Sequence, residues 1–177
     1  MNVTFDWNEW FSILSSIGAI LIFWPIRSYF STVLLIVIFT YNLALVATID
    51  YFLIATPFHL YYFGDNTSYE ASGALFHFFM YPASSILFLF IYDKWKLYRL
   101  KTVWYILCWT AFSLFFEWLC VINHVLTYTG WKLPYSIPVY PAAAMMLLLV
   151  YHFAARHLHE LSLRKLAKNR VIKPKPS

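Results

Sequence analysis

The chain has 177 residues, of which 62% are hydrophobic and 12% charged, and a formal net charge of +5 at pH 7. Soluble domains average about 45–50% apolar and about 25% charged residues, and a chain this short exposes too much surface to hide the excess. The composition excludes a soluble globular domain; with eight Trp, fourteen Tyr and seventeen Phe, residues suited to membrane interfaces, it points to an integral membrane protein.

The first ten residues, MNVTFDWNEW, carry Asp6 and Glu9 but no Lys or Arg, the reverse of a basic signal-peptide start. No small-residue cleavage site follows LIFWPIR, so a cleaved leader is not expected. Crossing the hydrocarbon takes about 20 predominantly apolar residues in a helix. Five stretches meet that need: residues 10–26, 29–54, 69–92, 102–126 and 137–156. None alternates as a strand would, and all are too long for one. The predicted fold is therefore an all-α bundle of five transmembrane helices over residues 1–158, followed by a basic tail over 159–177.

In the first span, Ser12, Ser15, Ser16 and Ala19 form a seam of small residues that lets helices approach closely. The second places Asn42 and Asp50 near one face. In the third, Glu70, Gly73, His77 and Ser84 share a face, and Pro82 is expected to bend the helix beside them. The fourth contains the stretch FFEWLC. Here Thr110, Ser113, Glu117, Cys120, His124 and Thr127 follow one another at spacings of three and four residues, which is one helix face. Glu117 should thus face the bundle interior, where intramembrane carboxylates almost always point. The fifth opens with KLPYSIPVYP, with Ser136 as N-cap and Tyr135 and Tyr140 near the interface. Cys108 and Cys120, twelve residues apart, would lie about 18 Å from each other on one helix. That is too far for a disulfide, and both read as packing residues.

Lysine and arginine set the expected direction. A cytoplasmic C-terminus collects Arg27, Lys94, Lys96, Arg99, Lys101, Arg156, Arg164, Lys165, Lys168, Arg170, Lys173 and Lys175 on the inner side, leaving only Lys132 outside. The N-terminus is then outside, and the positive net charge reflects topology; no nucleic acid is implied. The last helix is expected to continue past the membrane as HLHELSLRKLAKNR, a basic anchor lying on anionic lipid, where each such residue contributes about 1 kcal/mol. A docking site for a cytoplasmic partner is the alternative for that tail.

With this direction Asp50, Glu70, His77, Glu117, Asn123 and His124, together with Tyr128, Tyr135, Ser136 and Tyr140, fall in the outer half of the membrane, and the inner half is nearly bare of such groups. The expectation is a common, outward-facing pocket lined by Asn42, Asp50, Glu70, His77, Glu117, Asn123, His124, Tyr128 and Tyr140. The plainest use of Glu117 is structural, bonded across helices to Asn42 or His124. Such contacts contribute about 0.6 kcal/mol on average, against at least about 2.5 kcal/mol for a charge at the bilayer centre. Binding of a small molecule or lipid headgroup is the leading reading, because carboxylates suit an amine and aromatic rings add cation–π attraction. A zinc site built from His77, His124 and a carboxylate, Glu117 or Asp50, would instead support hydrolysis of a membrane-embedded substrate. Glu117 and His124, about 10.5 Å apart on one helix, would strain to share that metal, and no local metal motif is present. The third reading is a subunit whose acids pair with the cations of a membrane-protein partner. Proton transfer through Glu117 and His124 lacks an onward relay.

The pattern FEW…VINHVLTYTGWK…YS…Y over residues 116–140, with DYF upstream, resembles small multi-pass proteins of Bacillus-type bacteria. The resemblance implies a bacterial plasma membrane and carries no activity.

Overall fold

The computed structural model describes residues 6–55, 57–64 and 71–172; Glu70 and the end of the expected tail lie outside them. Five segments are long and apolar enough to cross a membrane: Trp7–Tyr29, Thr32–Ile54, Gly73–Lys94, Leu100–Ile122 and Leu133–Arg164. Large apolar side chains cover their outer surfaces, with Leu149 70%, Leu21 68% and Trp104 62% exposed. Apolar surface on that scale needs lipid as its solvent.

Helix α1 spans Trp7–Ile26 and starts three residues before the apolar run, because Glu9 reaches back to accept the Asp6 N–H at 2.7 Å and so satisfies a free donor at the helix start. Ser12 and Ser16 of the small-residue seam are buried where α1 meets the third span. Helix α2 spans Thr32–Asp50, with the Ser31 hydroxyl accepting from Leu34 N at 3.3 Å as its cap, and runs on through a π turn over Tyr51–Ala55. The third span consists of the short α3 (Ala71–Leu75), a second π turn over Phe76–Met80, and α4 (Tyr81–Lys94). Pro82 can supply no N–H to the turn preceding it, and the wide π turn is how the helix accommodates the proline. Asp50 precedes one π turn and His77 lies within the other.

Helix α5 spans Leu100–Ile122, four residues short of the expected 126. His124 N donates to Val121 O at 3.2 Å and Val125 N to Cys120 O at 2.9 Å, while His124 adopts a left-handed φ of 55°. These are the two reverse bonds of a Schellman cap, completed by the buried contact between Val125 and Cys120. His124 thus occupies the position that glycine usually fills. The polar stripe ends at Cys120, and the expectation that His124 and Thr127 continue its face is corrected.

Beyond the cap, strand β2 (Leu126–Tyr128) pairs antiparallel with strand β1 (Tyr61–Phe63), Tyr61 opposite Tyr128 and Phe63 opposite Leu126. Sequence reading placed Leu126 in a helix and the rest of this ribbon in loops. Three successive N–H groups, of Thr129, Gly130 and Trp131, converge on the Leu60 carbonyl at 2.9 Å each and fasten the ribbon's edge. Phe63 presses onto α3 so closely that a Cβ at Gly73 would stand 3.2 Å from its ring.

Helix α6 spans Ser136–Ile172, 37 residues. At 1.5 Å per residue it is about 56 Å long, well beyond the roughly 30 Å of hydrocarbon, as the expected extension requires. The helices run up and down, so the bundle has two distinct ends. The ribbon end gathers the start of α1, the end of α2, β1 and β2, the end of α5 and the start of α6. The opposite, basic end holds the main apolar core, with Ile38, Phe88, Leu89 and Leu147 among its buried members. A smaller cluster of Phe63, Phe76, Cys120 and Val125 packs under the ribbon.

Candidate functional site

Between these two clusters lies a cavity of about 250 Å³ bounded by α2, α4, α5, α6 and the ribbon. Glu117, on the buried face of α5, lines it and is only 7% exposed. Three hydroxyls donate to its carboxylate. Tyr128 from β2 reaches Oε1 at 2.5 Å, Ser136 at the start of α6 reaches the same oxygen at 2.8 Å, and Tyr140 one turn on reaches Oε2 at 2.8 Å. The direction of the Ser136 bond is fixed chemically. Trp131 Nε1, which can only donate, gives its hydrogen to Ser136 Oγ at 2.9 Å, and the serine passes its own hydrogen on to Glu117. Ser136 was expected as a helix cap; its hydroxyl is engaged with the carboxylate.

Asp50 lines the same cavity from the end of α2. The Tyr61 hydroxyl donates to its Oδ1, and His77 Nε2 lies 2.5 Å from Oδ2. His77 is buried behind Asp50, its ring edge-on to Phe63 at 5.6 Å and stacked on Tyr81 at 6.1 Å. Asn42 completes the polar lining, accepting the Ser85 hydroxyl at 2.6 Å and donating to Ile38 O at 2.9 Å. The Tyr41 hydroxyl, also on the lining, is buried with no hydrogen-bond partner among the described residues.

Burial, then the bonded and charged Glu117, raise the Tyr128 hydroxyl above the usual tyrosine range; burial, then the charge of Asp50, does the same for Tyr61. Both ribbon tyrosines therefore remain neutral donors at physiological pH. An ionised carboxylate has about four acceptor positions. Among the described residues three are taken at Glu117 and two at Asp50, which leaves acceptor capacity on each acid within that set.

Of the nine residues expected to share a pocket, Asn42, Asp50, Glu117, Tyr128 and Tyr140 line this cavity. His77 stands behind it and acts through Asp50. Asn123 does not line it. Its Oδ1 accepts from Trp7 Nε1 at 2.6 Å and its Nδ2 donates to Leu119 O at 2.7 Å, tying the start of α1 to the end of α5. His124 is exposed at the helix cap. Glu70 lies outside the described residues. The zinc set of His77, Glu117 and His124 is accordingly not assembled, and among the described residues no three His, Cys, Asp or Glu side chains are placed to hold a metal. Glu117 is surrounded by neutral hydroxyl donors, a poor complement for a divalent cation.

Sequence reasoning missed Tyr61, Ser85 and Trp131. Tyr61 and Trp131 sit in connections, where the helical spacing used to find polar faces carries no signal. The basic end is also less bare than expected: Asp93 accepts the hydroxyls of Tyr29 at 2.7 Å and Tyr151 at 2.9 Å, and Tyr92 Oη lies 3.0 Å from His152 Nε2.

No protein-family model matches the chain, and no curated protein or solved structure matches it either.

Proposed function

We propose that this membrane protein recognises an amine-bearing small molecule or lipid headgroup, with Glu117 as the anionic anchor and Asp50 as the second acid of the site. The observation that carries the reading is the buried Glu117 carboxylate, which lines a cavity and is held by three hydroxyls, with no cation bonded to it among the described residues. A charged group at membrane depth costs at least about 2.5 kcal/mol, and neutral hydroxyl bonds orient it without neutralising it. An ammonium group supplies both the missing charge and the N–H donors that the open acceptor positions lack. The aromatic lining, including Tyr61, Tyr81, Trp109 and Tyr140, adds faces for cation–π attraction.

The ribbon end faces outward in this proposal, because twelve of the thirteen basic residues cluster at the other end or in the tail. The basic extension of α6 then lies in the cytoplasm against the anionic lipid of a bacterial plasma membrane. The reading of the chain as a zinc hydrolase has lost its ligand set, and nothing in the geometry favours the partner-pairing role over ligand binding.

Native mass spectrometry of the purified protein with an added alkylamine tests the proposal. An amine adduct on the parent protein that disappears in Glu117→Gln, with normal membrane insertion, supports it. A Glu117→Gln protein that loses stability yet retains the adduct would assign Glu117 a structural role only.

A further inference from the structure

We infer that the ligand is a membrane amphiphile, an amine head on an alkyl chain, and that it reaches Glu117 sideways from the bilayer between α2 and α6. The inference rests on the amine reading above and adds the ligand's second half and its route.

The cavity is itself amphipathic. Its two acids and the tyrosine hydroxyls bonded to them lie at the ribbon end, and its remaining wall is mainly apolar, built from residues such as Leu45, Val46, Phe112 and Leu147 and interrupted by Tyr41, Asn42 and Ser85. A compact hydrophilic amine would leave that greater part of the space unmatched. Toward the ribbon the wall is made of Tyr61, Tyr128 and Trp131, large side chains whose polar atoms are all engaged, on Asp50, Glu117 and Ser136. Between α2 and α6, among the described residues, the lining is aliphatic instead. There a second, wholly apolar space of about 290 Å³ is lined by Leu45, Ile49, Val139 and Ala143, all shared with the acid cavity, and by Pro138, Ala142 and Met146.

Ala142 and Met146 are exposed on the flank of α6, within the stretch long and apolar enough to cross a membrane. On this inference the two spaces join past the small Ala143 that lines both, giving an apolar slot from lipid to the acid site. Charge and polarity match an amphiphile along its length: ammonium on Glu117, the first methylenes in the apolar cavity, and the rest of the chain through the slot. Each space alone falls just below the roughly 300 Å³ at which ligand pockets begin, whereas the joined pair lies within their range.

The test uses the full chain in lipid nanodiscs with two probes, dodecylamine and butylamine, bound to the parent protein and to Ala142→Phe and Glu117→Gln. Ala142 lines only the slot, so its phenylalanine obstructs the chain while leaving the acids intact. The expected result is a loss of dodecylamine affinity of at least about tenfold in Ala142→Phe, with butylamine binding unchanged, and loss of both amines in Glu117→Gln. Comparing variants in identical nanodiscs cancels the partitioning of dodecylamine into lipid. Equal effects of Ala142→Phe on the two amines, or none on dodecylamine, would overturn the lateral route while the amine site stands. Retention of both amines by Glu117→Gln would instead overturn the reading beneath it. Met146→Trp, at the exposed rim of the same slot, repeats the comparison should Ala142→Phe not insert.

Discussion

Tyr140→Phe removes a single oxygen, and the structure sets how much that should matter. Among the described residues the lost hydroxyl is the single donor to Glu117 Oε2, at 2.8 Å, whereas Oε1 keeps both Tyr128 and Ser136. A neutral hydrogen bond between transmembrane helices contributes about 0.6 kcal/mol on average; one to an ionised group contributes about 1.5–3 kcal/mol. The two cases separate cleanly. With Glu117 ionised, Tyr140→Phe should destabilise the protein by about 1.5–3 kcal/mol, and Tyr128→Phe by less, because Ser136 still serves Oε1. Steric-trapping or reversible SDS unfolding in bicelles at pH 7 measures the difference. The same change frees an acceptor position on the carboxylate, so amine affinity should rise while stability falls. A stability loss near 0.6 kcal/mol, or none, together with unaltered amine affinity would refute an ionised Glu117 held by its hydroxyl donors.

Ser136→Ala cuts the relay at both ends, removing a donor from Glu117 and the acceptor of Trp131 Nε1; denaturation should show a loss of about 1–3 kcal/mol, with altered tryptophan fluorescence. His124→Gly relieves a left-handed residue that costs about 1–2 kcal/mol, less about 0.5–1 kcal/mol of added chain entropy. It should therefore be neutral to mildly stabilising and leave amine binding unchanged, and a loss of binding would return His124 to the site. Because the Tyr61 and Tyr128 hydroxyls titrate above the ordinary value of 10.0 when folded, their contribution to stability is fully present below pH 10 and falls as pH rises beyond it. Unfolding measured from pH 8 to 11 should be flat to about 10 and weaken above; stability that stays flat through about pH 11 would mean that these tyrosines titrate alike in the folded and unfolded chain.

Much of the bundle was legible because its signals are local. Five apolar runs of spanning length became five helices, and the three-and-four spacing through Thr110, Glu117 and Cys120 identified the buried face of α5. That periodicity misled at the end of the helix. A Schellman cap depends on one residue turning left-handed, and His124 carries no glycine to announce it. The ribbon escaped for a different reason: Tyr61 and Tyr128 meet only because the intervening chain crosses the bundle twice, so their pairing is a tertiary fact. Acids were visible as oddities in an apolar sequence, and Tyr128 and Tyr140 were expected beside them, but most of their partners were not. Tyr61, Tyr29 and Tyr151 carried no signal of their own, and only the fold turns each hydroxyl onto a carboxylate. His77 and Asp50 were each noticed, and their direct contact emerges only once both π turns are formed.

The claim beneath all of this is that an ammonium group sits on Glu117 inside the bundle. Solid-state NMR on the protein in lipid, with ¹⁵N-dodecylamine and a ¹³C-labelled glutamate carboxyl assigned through Glu117→Gln, measures that separation directly. A charge-assisted contact of about 2.7–2.9 Å between nitrogen and oxygen places the nitrogen within about 4 Å of the carboxyl carbon. A dipolar coupling of that strength is the expected result; bound dodecylamine with no coupling to Glu117 would contradict the account.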